Sequence, residues 1–106
     1  MIQESQILSI IDHTLLKAEA SREDIIRLCQ EAIHYGAATV FTHGYYTLLV
    51  AEQLAGSRVR VGATAGFPYG AQPPAVKAFE ARTSIADGAQ EIDIVLNIGA
   101  MKSGEF

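Results

Sequence analysis

A chain of 106 residues is long enough for one small domain and well short of the roughly 250 residues of a closed eight-stranded barrel. With 49% hydrophobic and 19% charged residues it has a globular composition and can bury a core. A net charge of −4, with the acids dispersed along the chain, excludes the basic face that a nucleic-acid partner requires.

The opening residues Met1-Ile2-Gln3-Glu4-Ser5-Gln6 carry no basic stretch followed by an apolar one, and no apolar run reaches the ~20 residues of a membrane span. A cytoplasmic location and no membrane partner are expected. Residues 2 to 8 suit a short N-terminal helix. From Leu8 the chain alternates short β-prone runs with longer helical periods, the pattern of βα units on a parallel sheet. Leu8-Ser9-Ile10-Ile11-Asp12 leads a first strand that ends in Asp12-His13-Thr14. Ser21 stands as an N-cap before Arg22-Glu23-Asp24, and Ile25, Leu28, Cys29, Ala32 and Ile33 recur at helical spacing up to Gly36, a left-handed cap. Cys29 is the single cysteine, which rules out an internal disulfide and places the thiol on the dry side of that helix.

Ala38 to Thr42 is a second strand, and Leu48 to Leu54 is a second long helix closed at Gly56. Arg58 to Ala65 is a third strand, followed by a turn-rich loop from Gly66 to Pro74. Ala75 to Asp87 is a third helix ending at Gly88, with Val76, Phe79 and Ile85 as expected buried contacts, and Glu91 to Ile98 is a fourth strand. After Gly99 too little chain remains for another complete helix. Four strands and three crossover helices in one unit over residues 1–106 suit half of a (β/α)8 barrel or an open doubly wound sheet, since both are built from right-handed βαβ units. Composition does not choose between them.

Parallel α/β folds gather their sites at the carboxyl ends of strands. Those ends hold Asp12, His13 and Thr14, then Thr42 and His43, then Thr64 before the Gly66 turn, and finally Asp93. Ile92, Ile94, Val95 and Leu96 around Asp93 imply a strand covered on both faces, where an ionised carboxylate is costly unless paired or used. Raised proton affinity there suits a proton carrier; a carboxylate satisfied by a neighbouring lysine, serine or amide is the structural alternative. Asp12 has the same alternative, as the cap of a loop. His13, His34 and His43 lack metal-ligand spacing, so no metal is expected, and no Walker loop, dinucleotide fingerprint or nucleophilic serine elbow is present. His43-Gly44-Tyr45-Tyr46 suits either a pocket wall or packing against the sheet. A lysine that forms an imine must be a neutral amine, through desolvation or a neighbouring cation. Lys77 falls on a helix and Lys102 in a Lys-Ser-Gly turn, neither of which supplies that setting, while Lys17 lies past the first strand where it can face the site.

Ile11-Asp12-His13-Thr14-Leu15-Leu16-Lys17 resembles the opening strand of the deoxyribose-phosphate aldolases. Gly66-Phe67-Pro68 with Val76-Lys77-Ala78-Phe79-Glu80-Ala81 resembles their third strand-loop-helix unit, and the segment Gly88 to Ala100 resembles the one that carries their proton-relay aspartate. The resemblance runs from Ile10 to Glu105. It implies the N-terminal half of a TIM-type (β/α)8 barrel, from a metal-free and cofactor-free enzyme. That enzyme reversibly cleaves 2-deoxyribose 5-phosphate to glyceraldehyde 3-phosphate and acetaldehyde through a lysine Schiff base. Under this resemblance Asp93 matches the relay aspartate that holds a water and moves protons, Asp12 matches the aspartate that supports the lysine network, and Thr14 matches a neighbouring polar position. Lys17, Thr42 and Thr64 join Thr14 as expected pocket residues.

Two segments depart from the family pattern. A cysteine followed by Val-Asn-Pro is common in its second strand, where this chain has Phe41-Thr42-His43-Gly44, and Phe41 narrows the pocket on this reading. Gly62-Ala63-Thr64-Ala65 replaces a third-strand run that is usually bulkier or threonine-containing. The imine-forming lysine, its companion lysine and the phosphate cradle belong to later strands of the family. The chain alone is therefore expected to be inactive, with a small phosphorylated sugar as the parent family's ligand. Unpaired edges on the first and fourth strands predict a homo-oligomer or a complementary half-barrel as partner. A self-associating, non-catalytic module derived from the barrel is the alternative of a different class.

Overall fold

Ser21 starts the longest helix through a reciprocal cap: its hydroxyl accepts the Asp24 amide at 3.2 Å, and the Asp24 carboxylate accepts the Ser21 amide at 2.9 Å. The computed structural model describes residues 1–106, and this helix, α2, spans Arg22–Tyr35 and closes at Gly36 with φ 72°. The other elements are α1 (Glu4–Leu8), β1 (Asp12–Thr14), β2 (Thr39–Thr42), a 3-10 turn (Gly44–Tyr46), α3 (Thr47–Leu54), β3 (Arg60–Ala65), α4 (Pro74–Ala86), β4 (Glu91–Ile94) and α5 (Ile98–Lys102).

All strand pairs are parallel, in the order β1-β2-β3-β4. That order settles the choice between the two architectures. A doubly wound sheet reverses its strand order and so places helices on both faces, whereas successive right-handed crossovers in one direction place them all on one face. Ile25, Leu28, Cys29 and Ala32 of α2 and Leu49, Val50 and Leu54 of α3 pack with Val40 and Val61 into a single core on that face. The other face is left concave and open, as in half of a (β/α)8 barrel. Because side chains alternate along each strand, Asp12, Thr14, Thr39, Phe41, Arg60, Gly62, Thr64, Glu91 and Asp93 fall on the concave side.

Three expectations need correction. The first strand begins at Asp12, not in the Leu8 run, because Leu8 ends α1 and the amides of Ile10 and Ile11 are taken by the carbonyls of Ile7 and Leu8. Val76, Phe79 and Ile85 are exposed rather than buried. Helix α4 instead turns Lys77, Glu80, Ala81 and Ser84 inward, and only Ser84 is fully buried. Close approach is the reason: a methyl group on Gly44 would stand 2.9 Å from the Ser84 hydroxyl. The fourth strand stops at Ile94 rather than Ile98, since the Asn97 side chain accepts the Ala100 amide at 3.1 Å and starts α5.

Candidate active site on the concave face

Asp12 and Asp93 stand on the two edge strands of the concave face, with Phe41 and Gly62 on the strands between them. Asp93 pairs in register with Thr64, which is buried. Asp93 itself is exposed, contrary to a strand covered on both faces, because it stands on the open concave face of an edge strand. Its carboxyl is nonetheless held above the ordinary value of 3.8, first by partial loss of water and then by the negative charges of Asp12 and Glu91. Neither Asp12 nor Asp93 joins an ion pair; the three pairs in the chain use Glu31, Asp24 and Glu91.

The remaining expected residues divide. Thr14 lies on the edge of the concave face, and its hydroxyl donates to the Asp12 carbonyl at 2.9 Å. Lys17 is exposed in the loop after β1 and lines, with His13, Asp24 and Arg27, a groove of about 550 Å³ between that loop and α2. Thr42 is not brought to the concave face. It pairs with Ala63 on the helix-covered side, is fully buried, and donates its hydroxyl to the His43 carbonyl at 3.2 Å. A rim position indicated Thr42 from sequence, but strand parity sends it the other way.

Parity also exposes a group that the sequence reading passed over. At the base of the concave face the Thr39 hydroxyl donates to Glu91 at 2.8 Å, and Arg60 lies 3.6 Å from the same carboxylate oxygen. This arrangement ties β2, β3 and β4 together and fixes the strand that carries Asp93. At the rim, Lys77 donates to the Val95 carbonyl at 2.9 Å and Glu80 accepts the Gly66 amide at 2.7 Å, so α4 clamps both the Gly66 turn and the end of β4. His43 Nε2 sits 2.9 Å from the Leu16 carbonyl and links the loops after β1 and β2. No group of three or more His, Cys, Asp and Glu side chains is arranged to hold a metal ion. No helix is long and apolar enough to cross a membrane.

No family model matches the chain. A deoxyribose-phosphate aldolase of a Geobacillus species is 46% identical over 101 residues, which are 95% of this chain and 45% of that protein. The deoxyribose-phosphate aldolase of Thermococcus gammatolerans is 49% identical over 102 residues, covering 94% of this chain and 45% of its own length. The tetrameric deoxyribose-phosphate aldolase of Aeropyrum pernix superposes with a TM-score of 0.86 at 33% identity, over 92% of this chain and 42% of that one. The chain belongs to the deoxyribose-phosphate aldolase family. It spans about 45% of the length of the curated relatives it matches. Within a deoxyribose-phosphate aldolase, then, these residues make a four-stranded half-barrel whose concave face is the Asp12–Asp93 wall.

Proposed function

We propose that this half-barrel supplies the proton-handling wall of an aldolase site that cleaves 2-deoxyribose 5-phosphate to glyceraldehyde 3-phosphate and acetaldehyde, and that the chain alone is inactive. The observation that carries this reading is the pairing of Asp12 and Asp93 on one concave face, with the Asp93 carboxyl held above its ordinary value by its surroundings. A carboxyl so placed holds its proton more readily than an ordinary aspartate, the property that suits shuttling protons through a water during imine formation and at the enamine carbon. Asp12, whose charge acts on the Asp93 carboxyl from the opposite edge strand, would help orient a cationic amine brought to this face. Thr14 and Thr64 offer hydroxyls along the same wall. Phe41 fills the floor between them and would limit the bulk that the site admits.

The placement of the lysines supports inactivity of the chain alone. Lys17 and Lys102 are exposed outside the strands, and Lys77, on α4, is engaged with the Val95 carbonyl, so none is an amine buried within a strand. A cytoplasmic setting and a sugar phosphate as ligand belong to the same proposal. Incubation with 2-deoxyribose 5-phosphate, borohydride reduction and peptide mass spectrometry is the test. No adduct is expected on Lys17, Lys77 or Lys102, and a stoichiometric adduct on any of them overturns the proposed inactivity. Mixing with the remaining half of a relative's barrel is expected to give aldolase activity that Asp93→Asn lowers at least about a hundredfold, the scale of a lost general acid or base.

A further inference from the structure

Glu91 reaches back across β3 to β2, two strands from its own. There the Thr39 hydroxyl donates to its Oε2 at 2.8 Å, and Arg60 Nη1 stands 3.6 Å from the same oxygen. Neighbouring strands lie roughly 4.8 Å apart, so the side chain runs along the sheet instead of standing away from it. Thr39 is 1% exposed, and releasing the carboxylate would leave its buried hydroxyl without an acceptor. The hydroxyl is the firmer hold, since an ion pair open to water contributes little. Fixed in this way, Glu91 stands on the concave face two residues before Asp93, roughly 7 Å along the strand. The charged side chains of that face are Asp12 on β1, Arg60 on β3, and Glu91 and Asp93 on β4. β2 contributes the uncharged Thr39 and Phe41, and Lys77 of α4 is held at the Val95 carbonyl beyond the end of β4. Arg60 is thus the cation among these carboxylates, and it sits on the one two residues from Asp93.

We propose that Glu91, held by Thr39 and moderated by Arg60, is a positioning residue that sets how tightly Asp93 holds its proton. An ionised Glu91 opposes ionisation of Asp93, and the guanidinium beside Glu91 offsets part of that opposition, so the two side chains act on Asp93 with opposite sign. Partial loss of water, then Asp12, then Glu91 raise the Asp93 carboxyl, and Arg60 is the charged group of the face that works the other way. A tie between strands needs only a donor and an acceptor. The Thr39–Glu91–Arg60 group also fixes a charge at a set distance from the proton carrier. Its importance for catalysis rests on the reading of Asp93 as the group that moves protons.

An NMR titration of the Asp93 side-chain carboxyl carbon decides the matter. It reads Asp93 itself, so failure of the aldolase reading would appear in the complementation assay and leave this result untouched. Glu91→Gln keeps an acceptor for Thr39 and is expected to lower the proton affinity of Asp93 about two- to threefold, the effect of one unit charge removed at that distance in water. Arg60→Gln is expected to raise it, and Arg60→Lys, which keeps the charge, to restore the parent value. Arg82→Gln removes the same charge from the exposed surface of α4 and is expected to leave Asp93 unchanged. Arg60 and Arg82 are both exposed, so their variants keep the native amide spectrum and carry the test even where Glu91→Gln does not fold. An Asp93 titration that a folded Glu91→Gln variant leaves in place or shifts upward overturns the proposal. So does an Arg60→Gln variant with unchanged or weaker proton affinity at Asp93, or an Arg82→Gln variant that matches it, which would reduce the effect to net charge.

Discussion

The Phe41 ring occupies the space above Gly62, so closely that a methyl group on Gly62 would stand 2.6 Å from it. The two residues are register neighbours in a row that crosses the whole sheet, Thr14–Phe41–Gly62–Glu91. The missing side chain at Gly62 is what lets a large aromatic ring lie down on an otherwise polar concave face and become 98% buried there, with only 2% of its surface exposed. This pair sets the floor of the site between the two aspartates.

Gly62→Ala is therefore expected to destabilise the fold by about 1–3 kcal/mol through overpacking, and Phe41→Ala by about 3 kcal/mol through the lost burial and the space left behind. The double variant should lose clearly less than the sum, because the added methyl enters room that the ring has vacated. Urea denaturation of the four members of the cycle measures the coupling. Additivity within about 0.5 kcal/mol would show that ring and glycine do not compete for one space.

Asp93 makes a pH prediction with a definite sign. Its folded-state value is raised above 3.8, so the fold favours the protonated carboxyl, and that contribution is fully present below the ordinary carboxylate value. It is lost as pH rises through the folded-state value, where the ionised group meets Asp12 and Glu91. Asp93→Asn removes the ionised form. The variant is expected to melt roughly 1–3 °C above the parent at pH 7, with the difference fading as the pH approaches 3. Thermal melts across that range check it; a variant that is less stable at neutral pH would mean that the ionised Asp93 is held by a favourable partner.

Cys29 is expected to be chemically silent in the folded chain. It is 0% exposed in the core between α2 and the sheet, and burial pushes its thiol up to about 11. Little thiolate forms at pH 8 and no reagent reaches it. An aromatic disulfide reagent should label it only as fast as the chain unfolds, and completely in denaturant. Rapid labelling of the native chain would show that α2 separates readily from the sheet.

Local chemistry was enough to place most elements. The Ser21 cap, the glycine at position 36 and the helical spacing from Ile25 to Ile33 act within a few residues of one another, so α2 could be read directly; of its expected dry face Ile25, Leu28, Cys29 and Ala32 are buried, while Ile33, at the end of the stripe, is exposed. The alternation of strands and helices likewise indicated a parallel α/β chain, and Asp12 and Asp93 stood out as carboxylates set in β-prone runs. What decides exposure lies far away in the sequence. Val76, Phe79 and Ile85 looked like core residues of α4, yet the tight approach at Gly44 and Ser84 turns the other side of the helix inward. Thr42 and Thr64 looked alike at their strand ends, and only the register across four strands separates the helix-covered Thr42 from the concave Thr64.

The sequence by itself determined which segments become strands and helices and which polar groups the strands carry, because caps, turns and periodicity are local interactions. The tertiary structure alone decided that all the crossover helices share one face and that Asp12 and Asp93 therefore stand together on the other. Those outcomes follow from strand order and pairing register, which depend on contacts between residues dozens of positions apart.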